Sequence, residues 1–339
     1  MEDNEDFQKL KALLFSPDKA NVELAKTLAE SQNIKEISDL YQQMESINRF
    51  WTEHPLDGYP KETSRMIDYF KRNGLSFFKN YTVREIPEEH SFLAPFINKF
   101  YIWYTSLHTL PKGLGMFYNI EKIVVVGGPL THILEEVWRL PKLTEVDLTI
   151  GKNFKWDDNV LLAKNLKTLI VKGVVYPSLP EELPQMPNLK VLGYSALGDP
   201  KDAVQLPEIL WDCIGIEDLS LFGKTILFPV GKNFEQLKKL KTLELRRINW
   251  DKLPDTLLDL PDLDELTLAI LIKLKSLPEW FSKLPISSLY IYQCKFDNAF
   301  EIIKKMPNLK KLKLSESIQK KVIKEDWENE FKDLELSWF

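Results

Sequence analysis

An apolar motif, Leu-x-x-Leu-x-Leu with aliphatic or aromatic substitutes, returns along this chain at a near-fixed interval and leaves few folds open to it. Its three apolar positions fall at Ile97/Phe100/Ile102, Ile120/Ile123/Val125, Leu143/Val146/Leu148, Leu166/Leu169/Val171 and Leu189/Leu192/Tyr194. The series continues at Ile216/Leu219/Leu221, Leu240/Leu243/Leu245, Leu263/Leu266/Leu268, Ile286/Leu289/Ile291, Leu309/Leu312/Leu314 and Phe331/Leu334/Leu336. Successive starts differ by 23, 23, 23, 23, 27, 24, 23, 23, 23 and 22 residues, so the period is 23. One short strand cannot bury such leucines alone, whereas stacked parallel neighbours bury a continuous row, so a fixed period of this length signals a solenoid. The one long step contains Gly198, Asp199 and Pro200 within Ser195 to Asp202, the composition of a loop insertion.

A second signature follows at a fixed distance: Leu110-Pro111, Leu179-Pro180, Leu206-Pro207, Leu253-Pro254 and Leu277-Pro278, with Pro141, Pro187, Pro261 and Pro307 just before strands. Proline fixes φ and has no N–H to give a sheet, so these places belong to an irregular return segment. In these residues the chain resembles the leucine-rich-repeat superfamily, in its 23-residue, bacterial-type intracellular form, over roughly residues 97 to 339. A degenerate unit is expected before it, from Leu75 through Val83 and Ile86-Pro87. The resemblance implies an α/β leucine-rich-repeat solenoid: a curved parallel sheet on the concave face, and irregular, 3-10 or short helical returns on the convex face. It constrains function weakly, because one fold serves many interactions. Members commonly carry Asn or Cys three residues past the third strand leucine. Here those places hold Val174, Leu197, Ile248, Leu271 and Cys294, so only Cys294 matches and the turn backbone needs other partners.

Ahead of the repeats, residues 1–72 read as a helical N-terminal cap or docking segment, and residues 73–339 as the repeat domain. Ser16-Pro17 looks like a helix start. Val22, Ala25, Leu28 and Ala29 mark one apolar helical face, Ile37, Leu40, Tyr41, Met44 and Ile47 a second, and a third helix through Met66, Ile67, Tyr69 and Phe70 stops at Asn73-Gly74. The stretch from Leu14 to Ser31 is similar to the helical leader of some bacterial leucine-rich-repeat proteins. At the other end Leu334 to Phe339 forms an apolar strand edge, a pairing hazard that either the Glu325 to Glu330 segment or a second chain would cover.

The acidic start, Met1 to Asp6, and the lack of any long apolar run predict a cytoplasmic protein without a membrane segment. A net charge of −5 disfavours nucleic acid as partner. Cys213 and Cys294 have no metal-ligand spacing and fall about 19 Å apart in the stack, too far to bond. His54, His90, His108 and His132 show no zinc spacing and read as surface or loop residues. Gly113-Leu114-Gly115 reads as a turn, and Asn80-Tyr81-Thr82 as an idle sequon. No catalytic residue, cofactor or metal is therefore expected.

Strand alternation sends the residues between the leucines to the concave face. Two patches follow. Tyr101, Trp103, Val124 and Val126 form an apolar aromatic group that is either a partner site or the seat of the N-terminal helices. Phe222, Glu244, Arg246, Tyr290 and Tyr292 mix aromatic and charged groups in the manner of an interface core. The expected function is a non-catalytic platform binding a protein or peptide there. The alternatives are an enzyme or effector with a cryptic site in the N-terminal segment, and nucleic-acid binding.

Overall fold

The computed structural model describes all residues except 1–4, 55, 57, 79–82, 104–105, 174–176, 199–204, 228–232, 316–317 and 319–323. The Asn80-Tyr81-Thr82 sequon, Val174 and residues 199–202 of the loop insertion lie outside the described residues. Two compact units emerge, Met1–Val146 and Asp147–Phe339.

The first unit carries helices α1 (Glu5–Leu14), α2 (Lys19–Ser31), α3 (Lys35–Glu53) and α4 (Met66–Asn73), then strands β1 (Leu75–Phe78), β2 (Lys99–Trp103) and β3 (Lys122–Val126) and the short helix α5 (Glu135–Trp138). The three strands pair in parallel in chain order. Helix α1 was not expected; its signal is the spacing of Leu10 and Leu14, which are buried, behind an acidic first turn. Helix α2 starts two residues later than Ser16-Pro17 suggests. Asp18 is its N-cap, accepting the Ala20 N–H at 2.9 Å, while Ser16 Oγ is occupied by the Asp18 N–H and the Asn21 amide. Phe15 sets its ring edge on Phe96, and α3 brings Phe50 and Trp51 against His90. The helices thus dock on the 88–96 return ahead of β2. His90 is only 1% exposed, which corrects its reading as a surface residue; His108 and His132 are exposed and His54 half-buried. A neutral imidazole sits here because aromatic rings enclose it.

Gly74 ends α4 in the left-handed region, φ 63°, and its N–H returns to Phe70 O at 2.9 Å. A Cβ there would lie 2.2 Å from the Lys99 carbonyl oxygen. Gly74→Ala is therefore expected to destabilise the first unit by about 2 kcal/mol. Equilibrium denaturation measures this, and an unchanged midpoint would contradict the packing of α4 against the start of β2.

The second unit holds β4 (Glu145–Ile150, which begins just before it), β5 (Thr168–Gly173), β6 (Val191–Ala196), β7 (Asp218–Phe222), β8 (Thr242–Arg246), β9 (Glu265–Ala269), β10 (Ser288–Tyr292), α6 (Ala299–Ile303), β11 (Lys311–Leu314), α7 (Lys324–Glu330) and β12 (Glu335–Trp338). From β5 to β12 each strand pairs in parallel with the next. The motif leucines Leu219, Leu221, Leu243, Leu245, Leu266, Leu268 and Leu289 have no exposed surface. The Leu-Pro pairs build the other wall: Leu206, Leu253 and Leu277 are buried, and Pro207, Pro254 and Pro278 each cap a 3-10 turn. Proline suits that place because a helical first turn leaves its N–H position without an acceptor.

The missing Asn ladder is replaced by main chain. Arg247 and Ile270 adopt left-handed φ values of 54° and 57° at the ends of β8 and β9, and their N–H groups donate to Ala269 O and Tyr292 O at 2.8 Å. One repeat earlier Gly223 donates to Arg246 O, and one repeat later Gln293 donates to Ser315 Oγ at 2.6 Å. Cys294 takes the Leu271 N–H at 3.4 Å.

The last repeat corrects the expected register. Leu312 pairs with Leu336 and Leu314 with Trp338, two residues on from the alignment through Leu334 and Leu336, so Lys313 stands beside Ser337 and not Glu335. Within this unit α7 buries Trp327 against Phe300, placing the 325–330 segment over the last core side chains.

Candidate functional site

The open face of β7 to β10 is set by strand register. One column runs Ser220, Glu244, Thr267, Tyr290 and the next runs Phe222, Arg246, Ala269, Tyr292. All five residues expected on this patch therefore share a face, but in two banks. Phe222, Glu244 and Arg246 form one, on β7 and β8. Tyr290 and Tyr292 form the other, on β10. Between them lie Thr267, half-buried, and Ala269, which its neighbours cover completely.

The first bank is ordered by its own polar contacts. Arg246 Nε meets Glu244 Oε1 at 3.0 Å, Ser220 Oγ donates to Glu244 Oε2 at 2.9 Å, and the Arg247 guanidinium lies 5.8 Å from the Phe222 ring centre. The Arg246 side chain is still 45% exposed, so its ion pair contributes little stability. On the second bank both tyrosines are half-buried, Phe339 meets Tyr292 edge-on with ring centroids 4.9 Å apart, and the Lys313 ammonium lies 4.3 Å from the Phe339 ring centre.

Carboxylates missed by the sequence reading line the strand starts. Burial, with Glu244 nearby, pushes the Asp218 pKa up; burial, with Asp218 and Asp264 nearby, does the same at Glu265. Glu217 behaves oppositely: hydrogen bonds from Lys190 and Lys241, each at 2.8 Å, hold it down at about 2. On β4 and β5, Asp147 and Lys172 pair at 2.8 Å.

The other patch lies in the first unit. Tyr101 and Trp103 stack with centroids 5.3 Å apart and planes 10° from parallel, and both are half-buried. Val124 and Val126 stand beside them on β3; Val124 is 9% exposed and Val126 half-buried.

Neither thiol is poised for chemistry. Cys213 and Cys294 are unbonded and buried, and burial pushes their pKa values up to about 12 and about 11, which suppresses the nucleophilic thiolate. Among the described residues no group of three His, Cys, Asp or Glu side chains is placed to hold a metal ion. No helix among them is long and apolar enough to cross a membrane.

The 23-residue register, the parallel strands in chain order and the proline-capped 3-10 returns define the fold as a leucine-rich-repeat solenoid with helices before its repeats. No family model matches it. It is similar to the volume-regulated anion channel subunit LRRC8B of Mus musculus and of Homo sapiens, 26% identical over 172 residues in each case. That match takes in 47% of this chain but only 20% of the length of either relative. Among solved structures, the leucine-rich-repeat protein LIC12759 of Leptospira interrogans aligns with a TM-score of 0.38 and 21% identity, over 80% of this chain and 86% of its own. The internalin inlF of Listeria monocytogenes aligns at 0.46 and 12% identity, over 75% and 76% respectively.

Proposed function

We propose that this protein is a non-catalytic platform that holds a protein or peptide partner on the open, concave face of its repeats. The observation that carries the reading is the two-banked patch of β7 to β10. Phe222, Glu244 and Arg246 share one strand face with Tyr290 and Tyr292, presenting aromatic anchors beside a half-exposed guanidinium. Solenoids of this kind use such strand faces as extended binding surfaces. The two banks stand two strand spacings apart, about 10 Å. A cytoplasmic setting suits the two free thiols. The stacked Tyr101–Trp103 pair, with Val126 beside it, offers a second anchoring step for the same class of partner.

The test is a triple variant, Arg246→Glu with Tyr290→Ala and Tyr292→Ala. All three side chains are partly exposed, so its melting curve is expected to stay close to that of the parent. A partner retained on the immobilised parent protein is expected to lose at least about tenfold in affinity for the variant. Unchanged retention would remove this face from consideration. Reproducible turnover in an activity screen of the intact protein would replace the binding reading with a catalytic one, and salt-dependent capture of labelled DNA or RNA would replace it with nucleic-acid recognition.

A further inference from the structure

A separate surface lies on the helical side of the first unit. Phe15 from the end of α1 meets Phe92 and Phe96 of the 88–96 return, with centroids 6.5 and 5.3 Å apart, and Tyr118 stands beside them with 47% of its surface exposed. These rings line a cavity of about 550 Å³. A second cavity of about 310 Å³ adjoins it at Pro95 and Phe96, which line both. None of the four rings is fully buried, unlike Phe70, Phe100 or Phe117 of the same unit.

The rim of the groove is cationic. Lys11 lies 5.7 Å from the Phe15 centroid and Lys71 lies 5.3 Å from that of Phe96, and neither has a carboxylate partner among the described residues. Lys142 stands at the far end, donating to Asn119 Oδ1 at 2.6 Å, and Glu121 is the one carboxylate of the lining. Three ammonium groups against one carboxylate is a local excess that runs against the chain's net charge of −5. An aromatic floor flanked by cations matches one kind of ligand: a bulky apolar side chain that fills the groove, with Asp or Glu neighbours that reach the rim. Phe15, Phe92 and Phe96 are half-buried along a concavity, a shape that suits an inserted peptide side chain better than a flat lipid surface.

We propose that the groove between α1 and the 88–96 return is a docking site for an acidic peptide segment of a partner protein, anchored by an aromatic or aliphatic side chain. This site is independent of the strand-face reading and stands or falls without it.

A displayed library of random dodecapeptides, panned on the whole protein, is the test. Counter-selection uses a variant carrying Lys71→Glu, Lys142→Glu and Tyr118→Ala, exposed positions whose change leaves the core untouched. Peptides retained by the parent and rejected by the variant are expected to carry Asp or Glu beside Phe, Leu or Trp. In fluorescence anisotropy the leading peptide is expected to lose about tenfold or more in affinity for the variant, and to weaken as salt rises. Its binding is expected to be unchanged by Arg246→Glu with Tyr290→Ala and Tyr292→Ala. Enriched peptides without an acidic bias, or peptides that bind parent and groove variant equally, would overturn the proposal. Two further results would also overturn it: dimerisation abolished by the groove variant, which assigns the groove to a second copy, or phosphatidylserine-vesicle binding abolished by it with no peptide enriched.

Discussion

Trp327→Ala is expected to destabilise the C-terminal repeats by about 3 to 5 kcal/mol, the range for truncating a buried large aromatic side chain. The indole is 1% exposed, stacks on Phe331 at 5.4 Å and 22°, and meets the edge of Phe300 at 5.0 Å. Helix α7 has no other buried side chain, so this residue is its apolar anchor over the last repeat. Solenoid stability is a sum of intrinsic repeat terms and nearest-neighbour interfaces, so the loss is expected to stay local. Hydrogen exchange resolves it: the amides of β11 and β12 should lose protection while those of β5 to β8 keep theirs. Trp327→Phe, which retains a ring, should cost distinctly less. Even loss of protection through the unit would show that the repeats unfold as one cooperative block and not from this end.

That locality also explains which parts of the fold were legible in the amino-acid sequence. Each repeat carries the same instruction, so β2 to β11 and the proline-capped returns could be read from spacing alone. The end of the chain lacks a following repeat to disambiguate it. Leu334, Leu336 and Trp338 are all apolar at alternate positions, so two registers fit the period-2 pattern, and only pairing with Leu312 and Leu314 selects Leu336 and Trp338. The ladder between turns was illegible for a different reason. It is made by backbone N–H groups at Gly223, Arg247, Ile270 and Gln293, and side-chain identity says little about a left-handed φ in a non-glycine residue. Ser16 and Asp18 are both good N-caps two residues apart, and only local hydrogen bonding decides between them.

The candidate site divides in the same way. Strand alternation alone located Phe222, Glu244, Arg246, Tyr290 and Tyr292 on one face. It did not show that Arg246 is already engaged by Glu244, that Ser220 completes that contact, or that Ala269 is fully covered between the two banks. Those features depend on χ angles and on neighbours one strand away. The groove beside α1 was out of reach altogether, because Phe15 and Phe96 are distant in sequence and meet only once the helices dock.

His90 gives the second large effect, a loss of stability in the first unit as pH falls. The imidazole is 1% exposed, with Phe50 and Trp51 ring centroids 4.7 and 5.4 Å away, and burial lowers its pKa from 6.5 to about 4 against a small opposing pull from Glu89. Between those two values the unfolded chain binds a proton that the folded unit refuses. Stability is therefore full above about pH 6.5 and is lost as pH falls toward 4, by about 3 kcal/mol for a shift of this size. In the second unit the sign reverses at Asp218 and Glu265, whose folded pKa values are raised, so their protonation in mild acid removes the cost of burying a charge and, secondarily, relieves repulsion. Hydrogen exchange at pH 7.0, 5.5 and 4.5 separates the two: α3 and the 88–96 return should lose protection first, while β7 to β9 are spared. His90→Phe keeps a ring in the pocket and removes the titration, so it should flatten the acid dependence of the first unit. An unaltered acid profile in that variant would show that another group controls the unit's response to pH.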